Sequence, residues 1–239
     1  MQIHGLNKTT LLDYPGHVAC TVFTGGCNFR CPFCHNADLV LAPHTQPEIS
    51  EEEFFAFIKK RSGILEGVCI TGGEPLLQKD LADFIRRLRT YGLKIKLDTN
   101  GYLPDKLEAL WQEGLLDYVA MDIKSSRAGY AAAAGLAPET FDYGRIAESI
   151  SLLMRSGIPY EFRTTVVAGL HSAEDFDDIA DMIAGCSHYY LQSYEEKDSI
   201  LQFHTDGASM PLSAFSPEEL RAVAERLNTA GIPTTLRGI

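Results

Sequence analysis

Short apolar runs alternate with amphipathic helical segments along most of this chain, and that alternation limits the possible folds more than any other feature. The apolar runs predict strands at 18–23, 67–71, 94–98, 118–123, 160–167 and 189–192, and 232–236 is either an extra strand or a tail. The segments between them predict helices at 50–63, 79–91, 104–114, 142–157 and 172–185, with a last one that begins at Ser216. Such alternation is typical of a parallel sheet with helical crossovers. Six strand–helix units are fewer than the eight of a closed barrel, so we expect an α/β partial (β/α)6 barrel with an open sheet.

Length and composition suit one globular domain. The chain has 239 residues, of which 45% are hydrophobic and 22% charged, so it can bury a sizeable core. We expect a single core domain over 1–239, with an N-terminal segment 1–16, a barrel core 17–195 and a C-terminal helix and tail 196–239. A net charge of −11 argues against binding to nucleic acid. The sequence shows neither a secretory signal nor an apolar run that could span a bilayer, so we expect a cytoplasmic monomer without a membrane partner.

A loop directly after the first predicted strand carries Cys27, Cys31 and Cys34 at C-x3-C-x2-C spacing. Thiolates are soft ligands, and three on one short loop can converge on one soft metal centre. A structural zinc site usually closes with four protein ligands, whereas three leave a coordination position open for chemistry. The spacing alone leaves three interpretations open: an iron–sulfur cluster, a zinc site completed by His35 or a remote cysteine, and reduced thiols in a core.

Three other cysteines lie outside that loop. Cys20 and Cys69 fall within apolar strand-like runs, where a buried and unreactive thiol is expected. The sequence gives no role to Cys186.

Polar motifs stand where the predicted strands end. In parallel α/β folds, ligands bind at the carboxyl ends of the strands, so these motifs predict one site on one rim. Each alone has a plainer interpretation, as a turn or as solvated strand-end acids. Besides the cysteine loop, the motifs are Gly72-Gly73-Glu74-Pro75, Asp98-Thr99-Asn100-Gly101, Asp122 with Lys124, and the stretch 192–195.

The combination of C-x3-C-x2-C after the first strand and Gly-Gly-Glu-Pro after the second resembles the radical S-adenosylmethionine (SAM) superfamily. The resemblance covers essentially the whole chain. Further motifs look like those of the glycyl-radical-enzyme activases. Within that group, residues 5–16 are most similar to the activating proteins of anaerobic ribonucleoside-triphosphate reductase, and the activases of pyruvate formate-lyase are next. These further motifs are Asp13-Tyr-Pro-Gly16, Cys34-His35-Asn36, Asp98-Thr-Asn-Gly101 and Asp122-Ile-Lys124.

The resemblance implies a [4Fe–4S] cluster held by the three cysteines of the loop, with SAM on the fourth iron. It places Phe33 along the adenine, although a core aromatic is the plainer role, and it counts His35 among the cofactor-binding residues. Gly72 and Gly73 would let the backbone approach the methionine end of SAM. Glu74 would face the SAM ammonium group.

The resemblance also implies a monovalent cation beside the SAM carboxylate, held by Asp98, Thr99 and Asp122 with a carbonyl near residue 120. Two carboxylates that face a bound carboxylate call for a cation between them, although solvated acids are the alternative. Lys124 is expected to bind SAM or the partner protein. Arg163, inside an apolar strand, calls for a partner of its own and is expected to hold the SAM carboxylate or ribose.

Two departures from the family pattern concern the late strand and the cysteines. A histidine of the formate-lyase activases is replaced here, which leaves Gln192 or Glu195 as the expected late-strand contact with SAM. The cysteine-rich ferredoxin insert of some activases is missing, so one cluster is expected.

The implied function is the generation of a glycyl radical. A flavodoxin or ferredoxin would supply one electron, SAM would be cleaved, and a hydrogen would leave a backbone glycine of a partner enzyme. The expected partner is anaerobic ribonucleoside-triphosphate reductase, with pyruvate formate-lyase as the alternative. Asp13 is expected either to contact the glycine loop of the partner or only to form a turn beside Pro15-Gly16. A radical SAM enzyme for a small molecule and a non-catalytic zinc or electron-transfer module are the other hypotheses.

Overall fold

A computed structural model describes residues 1–197, 199–204 and 210–238. The predicted C-terminal segment 196–239 therefore includes positions that lie outside the described residues, namely 198, 205–209 and 239. All candidate site residues fall within the described ranges.

The described strands follow the predicted ones closely, and each of the six predicted strands is confirmed to within one residue at either end. In chain order the strands are β1 (Ile3–Thr10), β2 (Ala19–Thr24), β3 (Gly67–Gly72), β4 (Lys94–Thr99), β5 (Tyr118–Asp122), β6 (Tyr160–Ala168), β7 (Tyr189–Ser193), β8 (Ser213–Ala214) and β9 (Thr234–Arg237).

The helices alternate with these strands. They are α1 (Ala37–Leu41), α2 (Glu51–Lys60), α3 (Leu81–Arg89), α4 (Pro104–Gln112), α5 (Tyr130–Ala134), α6 (Tyr143–Ser156), α7 (Asp175–Met182) and α8 (Pro217–Thr229), with 3-10 turns at Pro43–Thr45, Pro75–Leu77 and Leu201–His204. None of the helices formed by the described residues has the length and apolar character needed to cross a bilayer.

The chain forms two compact units and crosses between them five times, the last time within β5. The first unit comprises 1–28, 38–99 and 105–120, and in it β2, β3 and β4 lie side by side in parallel. The second comprises 29–37, 100–104 and 121–239, and in it β6, β7 and β9 are parallel while β8 adds to β6 antiparallel. The predicted parallel sheet with helical crossovers is confirmed.

β1 is an addition to the predicted fold. It pairs antiparallel with β2, with Ile3 level with Thr24 and Thr10 level with Ala19. The sequence analysis placed this stretch in an N-terminal segment without a strand. Only two of its eight side chains, Ile3 and Thr10, are fully buried, so the stretch lacks the apolar pattern by which the other strands are recognised.

Serine side chains cap the N-termini of α2 and α8. Ser50 caps α2, because its hydroxyl accepts from the Glu53 backbone N–H at 3.1 Å. The buried side chains of that helix are Phe54, Phe55 and Ile58. Ser216 forms a full capping box with Glu219 at the start of α8.

An ion pair fixes the last strand of the second unit. Both terminal nitrogens of the Arg237 guanidinium, Nη1 and Nη2, donate to the Glu161 carboxylate at 3.0 Å, and Glu161 is only 1% exposed. The guanidinium carbon of Arg237 also lies 3.5 Å from the centroid of the Tyr190 ring. A bidentate contact with ring stacking uses the planar geometry of arginine. Because β9 also pairs in parallel with β7, it is part of the sheet rather than a tail.

Candidate active site

In the first unit, the Gly-Gly-Glu-Pro motif fits against the backbone that leads into Cys27. The Gly73 N–H donates to the Thr24 carbonyl, and the Glu74 N–H donates to the Gly26 carbonyl, both at 2.8 Å. A Cβ atom on Gly73 would lie 1.9 Å from the Gly26 carbonyl oxygen. Only glycine permits this approach, so residue 73 sets the position of the chain one residue before the first cysteine of the loop.

Gly72 has a conformational reason to be glycine. Its φ of +117° lies outside the range of other residues, and a Cβ there would come within 2.2 Å of the Thr24 nitrogen. The predicted approach to SAM is a separate property and stays a prediction.

Glu74 is buried, with 1% of its surface exposed. Its Oε1 accepts from the Thr99 hydroxyl at 2.9 Å and from the Leu76 N–H at 3.1 Å. These contacts join the ends of β3 and β4 and hold the carboxylate in one orientation. A fixed, buried carboxylate suits the predicted contact with an ammonium group.

Asp98, at the end of β4, is paired with a lysine of its own strand. The Lys96 ammonium binds the Asp98 carboxylate, and the lysine side chain is 2% exposed against 14% for the aspartate. The Cys69 thiol, on β3, lies 3.6 Å from the same carboxylate oxygen. The sequence analysis did not identify Lys96. The sequence could have indicated Lys96, because it lies two residues before Asp98 and residues two apart in a strand share a face.

In the second unit, Cys31 and Cys34 form a tight turn. The Cys34 N–H donates to the Cys31 carbonyl at 3.0 Å, and the Cys34 carbonyl accepts from Leu201 N–H at 2.9 Å. Cys31 is buried and Cys34 partly so. Burial raises the pKa of the Cys34 thiol, and nearby groups that include Lys124 oppose the change. Metal binding is then what would stabilise the thiolate.

Asp122, at the end of β5, lies between two cations. Its carboxylate contacts the Lys124 ammonium at 3.0 Å and the Arg163 guanidinium at 2.9 Å. Burial by itself would raise the pKa of Asp122, but Arg163 and Lys124 outweigh it and lower the pKa to about 2. The prediction that the interior Arg163 requires a partner is confirmed; its contact with SAM stays a prediction.

Lys124 links this charge cluster to the cysteine loop. Its ammonium lies 5.8 Å from the centroid of the Phe33 ring, which is 6% exposed. Its backbone carbonyl is 2.8 Å from Nε2 of His171. Because the Val167 N–H donates to Nδ1 at 3.0 Å, the proton is assigned to Nε2. Burial lowers the pKa of His171, which favours this neutral form.

His171 was missed by the sequence analysis, and no local pattern indicates it. It lies 47 residues from Lys124 along the chain. Its contact is made to a backbone carbonyl, which any residue type could supply.

His35 connects the cysteine loop to the chain after β7. Its Nε2 is 2.9 Å from the Glu195 carbonyl, and its ring stacks on Tyr194 with 6.4 Å between centroids. The Glu195 side chain is 61% exposed and pairs with Lys197 at 2.7 Å. Gln192 is partly buried on β7, level with Thr165 of β6. The structure therefore gives Glu195 a surface ion pair, and which late residue contacts SAM stays a prediction.

Asp13 is held by the first unit. The Thr21 hydroxyl donates to its carboxylate, and its own N–H donates to the Thr10 hydroxyl oxygen at 3.2 Å. These contacts hold Asp13 in place; its turn role beside Pro15-Gly16 and its role toward a partner both stay predictions.

The donor set fits an iron–sulfur cluster. The six cysteines, all within the described residues, are thiols rather than disulfides, and three of them share one loop. Among the described residues, no group of three or more His, Cys, Asp or Glu side chains is arranged around a single metal ion. A [4Fe–4S] cube carries one cysteine on each ligated iron, so its ligands are spread over the corners of a cube.

Comparison with known proteins places this geometry in a family. The model of the Radical SAM superfamily matches residues 21–183, which is more than half of the chain. The chain belongs to the radical SAM superfamily. Membership implies a [4Fe–4S] cluster and SAM as the groups that this site holds, in agreement with the cysteine loop. The chain is thus a radical SAM enzyme.

Similar proteins indicate the group within the superfamily to which the chain is related. A Methanocaldococcus jannaschii protein, provisionally named a glycyl-radical enzyme activating enzyme, is 32% identical over 82% of this chain and 81% of its own length. The pyruvate formate-lyase-activating enzyme of Clostridium pasteurianum is 28% identical over 86% and 83%. A GTP 3′,8-cyclase of Nautilia profundicola is 32% identical, but over 64% of this chain and 48% of its own length. The chain therefore belongs among the relatives of the activating enzymes.

A solved structure supports the fold. The crystal structure of a radical SAM methyltransferase from Sphaerobacter thermophilus superposes with a TM-score of 0.70 and 18% identity, covering 94% of this chain and 67% of that one. The partial barrel expected for the chain is the fold of this superfamily.

We predict that Gly73→Ala destabilises the protein and loosens the cysteine loop. The new Cβ meets the Gly26 carbonyl at 1.9 Å, and overpacking of this kind costs about 1–3 kcal/mol. Thermal unfolding should show the loss, and iron content after anaerobic reconstitution should fall. Gly63→Ala is the control, in the turn before β3, where φ is +80° and nothing lies within 4 Å of the new Cβ. It should also lose stability, through backbone strain, but should keep its iron. Full iron content and unchanged stability in Gly73→Ala would contradict the interpretation.

We predict a specific acid dependence for the Asp122 cluster. The pKa of Asp122 is lowered from 3.8 to about 2, so its stabilising effect is present above pH 4 and is lost as the pH falls through 2. The expected loss is about 2 kcal/mol over that window. Chemical denaturation should show it in the wild type and a shallower slope in Asp122→Asn.

Asp83→Asn is the control for that measurement, since Asp83 forms an exposed pair with Arg86. Exposed pairs contribute about 0–1 kcal/mol, so this variant should keep the wild-type slope. Equal slopes for all three proteins would contradict the role of Asp122.

Proposed function

We propose that this enzyme generates a glycyl radical on anaerobic ribonucleoside-triphosphate reductase. The observation that carries the proposal is the end-to-end similarity to activating enzymes, which cover 82–86% of the chain and are themselves covered to 81–83%. The N-terminal sequence from Gly5 to Gly16 supports the choice of the reductase over pyruvate formate-lyase. The match to a GTP 3′,8-cyclase, a small-molecule enzyme by its name, covers only 48% of that protein.

Cys27, Cys31 and Cys34 would hold the cluster. The surrounding residues would set the positions of these thiols and their protonation state. When bound, the cluster supplies one electron, taken from a flavodoxin or ferredoxin, that cleaves SAM to methionine and a deoxyadenosyl radical. The radical would take a hydrogen atom from a backbone glycine of the partner, which would yield 5′-deoxyadenosine and a glycyl radical. We propose that both units serve as one radical SAM core in a monomer.

Each unit holds charged residues whose chemistry suits one group of SAM. The buried Glu74 carboxylate suits the ammonium group, and the Lys124 and Arg163 cations suit the carboxylate. Phe33, buried beside Lys124, offers an apolar surface for the adenine. Each of these side chains is held by contacts within its own unit, which is the preorganisation that binding requires.

The loop before β2 offers a contact surface for a protein partner. Leu11 and Leu12 are 69% and 88% exposed, directly before Asp13. The loop is held in place, because the Thr10 hydroxyl oxygen accepts from the Leu12 and Asp13 N–H groups at 3.2 Å. Exposed leucines on a fixed turn are typical of protein contact sites.

The chemistry is tested by SAM cleavage. Reconstituted, dithionite-reduced protein should convert SAM to 5′-deoxyadenosine, and Cys31→Ala should lose this activity together with the brown absorbance of the cluster. Cys186→Ala, which removes a buried thiol outside the loop, should keep both. A colourless zinc protein that forms no deoxyadenosine would overturn the proposal.

The partner is tested by electron paramagnetic resonance. The reduced enzyme should form a glycyl radical on anaerobic ribonucleotide reductase and not on pyruvate formate-lyase. A Leu11→Ser/Leu12→Ser variant should raise the KM for the reductase at least tenfold, with unchanged SAM cleavage. Full burial of even one leucine contributes about 1.5–3 kcal/mol, and about 1.4 kcal/mol corresponds to a tenfold change. Ile64→Ser, at another exposed apolar position, is the control. A radical on the formate-lyase alone would refute the choice of partner.

A further inference from the structure

The charge arrangement around Asp98 bears on the monovalent cation that the resemblance implies. A cation is expected there because Asp98 and Asp122 would otherwise face the SAM carboxylate with uncompensated charge. In the structure, Asp122 contacts Lys124 and Arg163, and Asp98 contacts Lys96. Each carboxylate thus has a positive partner from the chain itself.

Lys96 is placed to act on Asp98 rather than on solvent. Its side chain is 2% exposed, while the Asp98 carboxylate, farther along the strand, is 14% exposed. The ammonium lies 3.8 Å from the Cys69 sulfur and 5.9 Å from the centroid of the Tyr118 ring. The lysine ammonium is therefore on the buried side of the Asp98 carboxylate, away from water. It lies near the polarisable Cys69 sulfur and the Tyr118 ring.

The position of Lys96 is fixed by strand register. Lys96 on β4 is level with Cys69 on β3, and Cys69 is level with Thr21 on β2. In-register residues of parallel strands point to the same side, and Asp98 shares that side because it lies two residues after Lys96. A charge fixed in this way needs no ion from solution, and its removal would leave the partly buried Asp98 carboxylate uncompensated.

We infer that Lys96 is a built-in counter-ion that replaces a dissociable monovalent cation beside Asp98. Lys96 is a positioning residue: it holds the carboxylate and its charge state, and does not touch the reacting atoms. The inference rests on the proposed SAM site, since its effect is read as SAM affinity.

The test compares SAM binding in potassium chloride and in choline chloride at equal ionic strength. Reconstituted wild-type protein should bind SAM with the same dissociation constant in both salts. Lys96→Met should bind about tenfold more weakly in choline, as expected for the loss of one compensating charge, and should recover in potassium because that ion can occupy the space beside Asp98. Lys96→Arg keeps the charge and should not respond to the salt.

A Lys96→Met/Asp98→Asn variant removes both charges and should also lose the response to potassium. The wild-type comparison needs no substitution. The inference can therefore be tested even if one of the variants does not fold. A tenfold loss of wild-type affinity on exchange of potassium for choline would overturn it, as would a Lys96→Met protein with wild-type affinity in both salts. Wild-type protein that binds no SAM in either salt would refute the proposed function instead.

Discussion

The first unit depends on a backbone contact between the ends of β2 and β3. Because Gly72 and Gly73 have no side chains, the Gly73 N–H reaches the Thr24 carbonyl and the Glu74 N–H reaches the Gly26 carbonyl. That contact places Glu74 where Thr99 can bind it and fixes the chain immediately before Cys27. A sequence motif that could be taken for an ordinary turn is thus the point from which carboxylate and thiol are both positioned.

Charge compensation inside each unit is the second organising feature. Buried ions are costly unless paired, and a pair is easily disrupted by removal of one partner. The main effect of pairing Asp122 with Arg163 and Asp98 with Lys96 is therefore a defined arrangement of the charged side chains, rather than a gain in net stability. A site with fixed charges has little reorganisation to make when a charged molecule binds.

The sequence predicts the strands well because their apolar runs are bounded by glycine and polar turns, as at Gly67–Gly72. It does not predict β1, whose exposed Asn7 and Lys8 carry no strand pattern. Within the site, spacing locates the cysteine loop but leaves its metal open. Lys96 was not predicted, although the period of a strand places it on the same face as Asp98. The contact of His171 with a carbonyl arises only from tertiary folding, and so does the choice of Asp122 as the partner of Arg163.

The pair formed by Glu161 and Arg237 has a consequence for how such chains can diverge. Glu161 lies in the core of the sheet and Arg237 near the far end of the sequence, 76 residues away. A change of either residue alone would leave a charge without its partner, whereas a joint change to two uncharged residues would not. The two positions should therefore covary during evolution, and the length of the segment between α8 and β9 should be inherited with them.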